Sequence, residues 1–334
     1  MIASIFDKCV GDLEVNGGYA LLPLSELQSS SSDNVVFNAF QTARRALDKM
    51  EHDDFISRID PSTDSGGWTG YHKADSINGR YNHYREGIVF SNNEYPRTMN
   101  SNIDFQSDMK QFFHFCHDTI ANGILRAIER RLELPDCYFD NELGPTGDAS
   151  QWHMKRYQLD VTDASKADNE STVLLPMHTD PSLISVVIVD GIGINEGGKG
   201  LQVLYPKNAG LIIGSNDDNN KSNGTWKSIS HHGHDVAIIF VGSVLSYLTK
   251  GQVFSAIKHR VVHDYVEDTN KRMAATLFVR PNPDCVMRIL PSKYIKHECP
   301  SSGKLPPTFR VWNARVAKNY MKRGRKNEPQ KSST

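Results

Sequence analysis

Apolar positions are spaced differently before and after about Gln151. Upstream, NGGYALLPL (16–24) predicts a short strand, followed by the polar link SSSSDN. Val36, Phe37, Phe40, Ala43, Leu47 and Met50 then recur at the spacing of one helical face. Residues 51–100 are rich in Asp, Ser, Gly and Asn and predict loops and short strands. The stretch NIDFQSDMKQFFHFCHDTIANGILRAIERRLEL is the clearest helix. Phe105, Met109, Phe112, Cys116, Ile120, Ile124 and Ile128 share its apolar face, and Pro135 marks its end. Downstream come the short Val- and Ile-rich runs TVLLPM, LISVVIV, GLQVLYP, DVAIIFV, SVLSYL and RMAATLFV, separated by Gly, Asn, Asp and His clusters. Many short strands at this spacing predict a sandwich or barrel, not alternating βαβ units. GSNDDNNKSNGTW (214–226) is too polar to pack and reads as a hairpin insertion. A last helix, TFRVWNARVAKNYMKRG, has Thr308 as its N-cap, Phe309, Trp312, Val316 and Tyr320 on one face, and Gly324 after its end. The tail RKNEPQKSST is expected to be disordered. These elements divide the chain into an N-terminal helical and mixed region (1–150) packing on a β-rich core (151–290), a closing helix (291–324) and a tail (325–334).

Composition narrows the class. With 38 Lys+Arg against 39 Asp+Glu among 334 residues, the formal charge is −1. That balance gives no field for nucleic acid or an anionic membrane. The N-terminus lacks the pattern of a secretory signal, and no apolar run approaches the roughly 20 residues of a membrane span. Five scattered cysteines form neither a disulfide framework nor a zinc motif, and the sequons at Asn169 and Asn223 are read as coincidental. The expectation is a cytoplasmic, soluble, monomeric protein.

The chemistry lies in TVLLPMHTDPSLISVVIVD (172–190). Side chains i and i+2 of a strand share a face, so His178 and Asp180 present an imidazole and a carboxylate to one point. They either form a hydrogen-bonded pair at a strand end or hold a metal. Two His and one carboxylate occupy one face of an octahedron and leave three positions open, which ferrous iron needs to take oxygen and substrate. The second imidazole is best supplied by His259 in GQVFSAIKHRVVHDYV, where Val261 and Val262 follow. His263 competes but leads into a loop, His117-Asp118 sits within the long helix, and SHHGHD reads as a solvated turn. Thirteen residues after His259 comes Arg272, opening the apolar run RMAATLFV. A guanidinium entering a buried strand needs an anion, and its fork suits a carboxylate. Beside a metal, that carboxylate fits the far end of an α-keto acid.

At these residues the sequence resembles the iron(II)/2-oxoglutarate-dependent dioxygenases, in the branch of isopenicillin N synthase, deacetoxycephalosporin C synthase and the plant flavonoid and gibberellin enzymes. HTDPSLISVVIVD, GLQVLYP, TWKSIS, DVAIIFVGSVLSYLTKGQVFSAIKHRVV and KRMAATLFVRPNPD follow the family's strand order. VRPNPD and TFRVWNARVAKNYM are most similar to the cephalosporin-forming synthase. The resemblance implies a double-stranded β-helix, a distorted jelly roll, that is mainly β with flanking helices. It implies Fe(II) held by His178, Asp180 and His259, with 2-oxoglutarate and O2 as co-substrates. Arg272 would take the far carboxylate of 2-oxoglutarate, with Tyr157 in HMKRYQLD reaching the same molecule. The implied reaction is oxidation of a small, carboxylated, amino-acid-derived metabolite in a biosynthetic pathway, by hydroxylation, desaturation or ring closure.

Two features depart from the family pattern. Its Arg-x-Ser is Arg272-Met273-Ala274 here, so a hydroxyl is missing. Asp180 and His259 also lie 79 positions apart (259 − 180), a long separation that the polar insertion and the Gly-rich 191–200 segment absorb. For an anionic substrate the sequence offers Arg156, next to Tyr157, and Arg80, Tyr84 and Arg85 in GRYNHYREG, whose bland alternative is a solvated loop. Trp68 is a candidate wall residue, and helix 308–323 a candidate lid. The rival readings are an iron oxidase that needs no keto acid, a jelly-roll binding protein and, more remotely, a zinc hydrolase.

Overall fold

The computed structural model describes residues 2–27, 33–52, 67–69, 85–91, 103–157, 173–190, 200–206, 224–229, 235–262, 272–297 and 305–326. The N-terminal part is helical. α1 (Ile2–Val15) is an unforeseen element, yet its sequence carries the signal: Ile5, Phe6, Cys9, Val10 and Leu13 fall on one face and are all buried. After β1 (Tyr19–Pro23), α2 (Asp33–His52) buries Val36, Ala39, Phe40, Ala43 and Leu47, while Phe37 turns outward, 47% exposed. The long predicted helix is observed as α3 (Ile103–His114), a π-helical stretch (Phe115–Ala121) and α4 (Asn122–Leu132) in succession. Its apolar face is buried as expected from Met109 to Ile128. The helix stops at Leu132, three residues before Pro135; there Glu133 adopts a left-handed conformation and Leu134 N–H donates to the Glu129 carbonyl.

Two short helices, α5 (Tyr138–Leu143) and α6 (Thr146–Ala149), lead into the β region. With β2 (Gly67–Thr69) and β3 (Arg85–Ser91) contributed from upstream, the strands are β4 (Gln151–Tyr157), β5 (Val173–His178), β6 (Ile184–Val189), β7 (Leu201–Pro206), β8 (Gly224–Ser228), β9 (Val236–Val241), β10 (His259–Val262) and β11 (Arg272–Val279). They form a seven-stranded sheet, β1-β9-β6-β11-β4-β3-β2, and a four-stranded sheet, β5-β10-β7-β8, in which every described pairing is antiparallel. From β4 onward the chain crosses repeatedly between the sheets: β4, β6, β9 and β11 belong to one and β5, β7, β8 and β10 to the other. This winding is the double-stranded β-helix that the family resemblance implies, and a form of the sandwich that the strand pattern predicts.

One apolar run departs from its predicted type. SVLSYL is not a strand but α7 (Ser243–Leu248), whose Val244, Leu245 and Leu248 are buried at helical spacing. Gly224 to Trp226, expected in an unpacked insertion, belong to β8, paired with β7. α8 (Phe309–Lys326) runs through Gly324 rather than ending before it, and Thr308 Oγ1 accepts the Val311 N–H at 3.4 Å. Phe309 and Trp312 of α8 pack with Tyr247 of α7 on the helix-covered side of the large sheet. The tail beyond Lys326 lies outside the described residues.

Alternation along β4 separates two cores. Trp152 and Met154 join the apolar cluster between the seven-stranded sheet and α1–α4. Tyr157 belongs to the second cluster, between the two sheets, with Leu175, Val187, Leu201, Phe240, Val261 and Ala274. Arg156 falls on the helix side with no exposed surface, and its guanidinium pairs with buried Glu86 of β3 and with Asp48 of α2. A second ion pair, Arg44 to Asp190, ties α2 to the end of β6. Among the described residues no helix is long and apolar enough to cross a membrane.

Arg156→Met removes the guanidinium paired with buried Glu86 and is expected to cost about 3–5 kcal/mol in urea unfolding. Arg156→Met combined with Glu86→Leu should recover most of that loss, since an apolar pair of similar volume is close to neutral. A loss below about 1 kcal/mol for the single variant would show that the pair does not hold α2 to the sheet.

Candidate metal centre and its cavity

His178 ends β5 and His259 opens β10, and the two are direct partners across the antiparallel β5–β10 pair. Residues opposite one another in such a pair have side chains on the same face, so this register sets the imidazoles side by side, with ring centroids 4.3 Å apart. Asp180 follows two residues after His178, just beyond the strand. Its backbone carbonyl accepts from both the N–H and the hydroxyl of Ser243, at 2.8 and 2.9 Å, at the start of α7. The carboxylate Oδ1 lies 3.6 Å from His178 Nε2 and 3.6 Å from His259 Nε2, and the three ligand atoms lie within 4.8 Å of one another.

Both imidazoles are oriented by the same device. His178 Nδ1 is 2.8 Å from the Pro176 carbonyl and His259 Nδ1 is 3.3 Å from that of Ile257, in each case two residues earlier. With Nδ1–H donating to the backbone, Nε2 keeps its lone pair for the cavity. Phe240 stacks flat on His259, with centroids 4.5 Å apart and planes 7° apart. Burial and the neighbouring His259 lower the pKa of His178 from its ordinary value to about 3. For Asp180, burial pushes the carboxyl upward, but His259, His178 and a hydrogen bond from Ser185 outweigh it and hold the pKa below the ordinary value. At neutral pH the cluster is therefore a neutral imidazole facing a carboxylate, which is the protonation state a cation requires.

The donor set fits a metal ion. Ligands at about 2.1 Å in neighbouring coordination positions stand about 3 Å apart, so side-chain shifts of a few tenths of an ångström would close the 3.6 Å separations. Two imidazoles and one carboxylate occupying one side of the ion match the ferrous facial triad with open positions. The triad borders an open cavity lined also by Lys155, Tyr157, Leu175, Val187, Leu201, Phe240, Val261, Arg272, Ala274, Thr276 and Phe278.

Arg272 opens β11 within this cavity. Its Nη1 is buried with no hydrogen-bond partner among the described residues, and its guanidinium lies 5.7 Å from the centroid of the Tyr157 ring. Burial lowers its pKa, with Tyr157 opposing. Space for the group comes from Gly200, where a Cβ would stand 2.9 Å from Nη1. A buried guanidinium with an open donor is costly without an anion and geometrically suited to a carboxylate. Tyr157 is aligned with Arg272 across the β4–β11 pair and with Arg85 across the β3–β4 pair. Burial raises its pKa, against the fields of Arg85 and Arg272.

The structure therefore brings together His178, Asp180, His259, Arg272 and Tyr157, and aligns Arg85 with the same row. It does not place Arg156 there. Successive residues of a strand face opposite ways, so with Tyr157 turned to the cavity Arg156 turns to the helices. The same alternation puts Lys155 in the cavity, a residue missed in the sequence although it stands two positions before Tyr157. Thr276 supplies a hydroxyl one cavity position beyond Ala274. Arg80, Tyr84, His231, His232, His234 and His263 lie outside the described residues. Trp68 is in β2, paired with Ile88 of β3. His117 is held within the helical layer, its Nδ1 2.7 Å from Asp118 and its Nε2 3.1 Å from Thr146 Oγ1.

No protein-family model matches the sequence, and no curated protein does. Solved structures do match in three dimensions. A full-length Neurospora crassa protein in complex with alpha-KG and thymine is 16% identical, with a TM-score of 0.70 over 95% of this chain and 92% of that one. JOX2 in complex with 2OG, Fe and JA is 16% identical, with a TM-score of 0.60 over 94% of this chain and 81% of that one. The dioxygenase for auxin oxidation (DAO) in rice is 14% identical, with a TM-score of 0.60 over 95% of this chain and 90% of that one. At such identities the likeness shows the fold alone: the chain shares the overall fold of these proteins, with a jelly-roll core.

Proposed function

We propose that the chain is an Fe(II)/2-oxoglutarate-dependent oxygenase acting on a small carboxylated metabolite. The observation that carries this reading is the pairing, in one cavity, of the His178–Asp180–His259 triad with a buried Arg272 whose Nη1 has no described partner. The triad alone would suit several divalent ions. The inward guanidinium adds a site for a carboxylate at a distance from the metal, which a metal-bound keto acid with a second acid group satisfies.

In this reading His178, Asp180 and His259 hold the ferrous ion, and Arg272 with Tyr157 receives the far carboxylate of 2-oxoglutarate. Iron and co-substrate, when bound, supply oxygen activation coupled to decarboxylation of the keto acid to succinate. The chain's own part is positional. Nδ1 bonds to backbone carbonyls fix both imidazoles, Gly200 leaves room for Arg272, and Leu175, Val187, Leu201, Phe240 and Val261 keep water from the substrate. Ala274 removes the hydroxyl usual in this pattern, and Tyr157 and Thr276 are the hydroxyls left along the cavity wall. The resemblance of the sequence to the isopenicillin N synthase-like branch supports an amino-acid-derived substrate of a biosynthetic route. Arg85, aligned with Tyr157, supports an anionic one.

The test is anaerobic loading with Fe(II) and 2-oxoglutarate followed by admission of oxygen. Succinate formed in step with oxygen uptake is the expected result, and oxygen uptake without succinate would point to a keto-acid-independent oxidase. Asp180→Ala and His259→Ala should abolish stoichiometric Co(II) binding in calorimetric titration while the unfolding transition stays cooperative; retained binding would move the metal elsewhere. Arg272→Ala should lose about 3 kcal/mol of 2-oxoglutarate binding from its charge-assisted hydrogen bonds, or about a hundredfold in Kd, with metal affinity nearly unchanged. Gly200→Ala should weaken 2-oxoglutarate in the same sense by crowding Nη1; equal affinity in both variants and the parent would assign Arg272 a structural role.

A further inference from the structure

Asp180 is held by side chains that are not themselves ligands. The Ser185 hydroxyl bonds its carboxylate, and Ser182 Oγ lies 2.9 Å from Ser185 Oγ. Neither serine has exposed surface, and Asp180 is buried with them. Taken alone, either hydroxyl could donate in the Ser182–Ser185 contact. The carboxylate settles the direction. An ionised carboxylate only accepts, and a hydroxyl has one hydrogen to direct. Ser185 directs its hydrogen to Asp180 and therefore accepts from Ser182. The donors run from Ser182 to Ser185 to Asp180.

Both serines are set in place by the large sheet and its connection to α7. Ser185 stands on β6 in register with Phe278 of β11 and Phe240 of β9. Phe240 is the ring that stacks on His259. One row of the large sheet thus backs two of the three ligands, Asp180 through a hydroxyl and His259 through a ring. Ser182 lies between Asp180 and β6, and its carbonyl accepts the Val244 N–H of α7 at 3.0 Å. Gly242 packs against the same residue. A Cβ there would stand 1.9 Å from the Ser182 carbonyl oxygen and 2.5 Å from its Oγ. A bare position at 242 is what lets Ser182 keep its place beside Ser185.

We infer that Ser182 and Ser185 are positioning residues for the metal ion, a chain of donors that fixes the Asp180 carboxylate with Oδ1 turned toward both imidazoles. This rests on the metal-centre reading and extends it to groups that touch neither ion nor co-substrate. The Ser243 bonds fix the Asp180 carbonyl and leave its side chain to turn about Cβ–Cγ. The Ser185 bond stops that turn. Hydrogen bonds to ligating groups contribute about tenfold to a hundredfold to metal affinity. Ser182 acts on the carboxylate through Ser185, so the two hydroxyls form one unit.

The experiment is calorimetric Co(II) titration of the full chain. The visible ligand-field spectrum of the bound ion and urea unfolding of the metal-free chain are read on the same samples. Ser185→Ala should weaken Co(II) by about tenfold or more and change the ligand-field bands. Ser185→Thr, which keeps a hydroxyl, should hold the affinity near that of the parent. Ser182→Ala should weaken Co(II) by a smaller factor, and adding it to Ser185→Ala should cost nothing further, because coupled residues are not additive. A lowered unfolding midpoint with parent-like Co(II) affinity and spectrum would make the serines packing residues and overturn the assignment. Independent, additive losses from the two serines would overturn it as well. Where Ser185→Ala loses cooperative unfolding, Ser182→Ala decides alone: unchanged affinity and spectrum in that variant overturn the assignment. A parent chain that takes up no Co(II) would instead fail the metal-centre reading itself, and this inference with it.

Discussion

The cross-strand partnership of His178 and His259 is the constraint on which the rest of the site depends. A slip of one residue between β5 and β10 would turn one imidazole to the far face of the small sheet. With the partnership in place, two imidazoles meet at the strand ends without any long flexible side chain. Asp180 needs only two further residues of backbone, held by the Ser243 hydrogen bonds to its carbonyl, to complete the set. Both histidines commit Nδ1 to a backbone carbonyl two residues earlier, so the site is oriented by local chain geometry before any ion arrives.

The large sheet divides two tasks between its faces. On the helix side, apolar side chains from α1 to α4 and the ion pairs Arg156–Glu86–Asp48 and Arg44–Asp190 hold the layers together. On the inner side Arg272 keeps its Nη1 without a hydrogen-bond partner among the described residues. Arg156 and Arg272 make the contrast plain. Arg156 lies on β4 and Arg272 is paired with the adjacent Tyr157, but the first is satisfied by two carboxylates and the second has a buried Nη1 with no partner among the described residues. That difference separates structural charge from charge available to a ligand.

Much of this is legible in the sequence, and the failures have physical causes. The His-x-Asp spacing, the Val-rich run after His259 and the arginine opening RMAATLFV lead to the triad and to Arg272, because His178, His259 and Arg272 sit on strands whose period is two and Asp180 follows directly after one. The long amphipathic helix is equally plain from its apolar spacing. Arg156 misleads because adjacency to Tyr157 is not alternation, and strand parity selects Lys155 instead. SVLSYL misleads because a six-residue apolar run does not distinguish strand from helix; the Gly242 break and the burial of Val244, Leu245 and Leu248 decide it. α1 has a regular apolar face, but Gly11 within it weakens the helical signal, and packing rather than propensity holds it. The link from Ser182 through Ser185 to Asp180 requires three-dimensional register.

The central claim is that one ferrous ion and one keto acid share this cavity through the triad and Arg272. Anaerobic titration of the protein with Fe(II), and then with 2-oxoglutarate, followed by visible absorption, tests it most directly. The account predicts saturation at one Fe(II) per chain, with a metal-to-ligand charge-transfer band that appears only when 2-oxoglutarate is added and chelates the iron. Saturable iron binding with no such band at any 2-oxoglutarate concentration, or no stoichiometric iron binding at all, would contradict it.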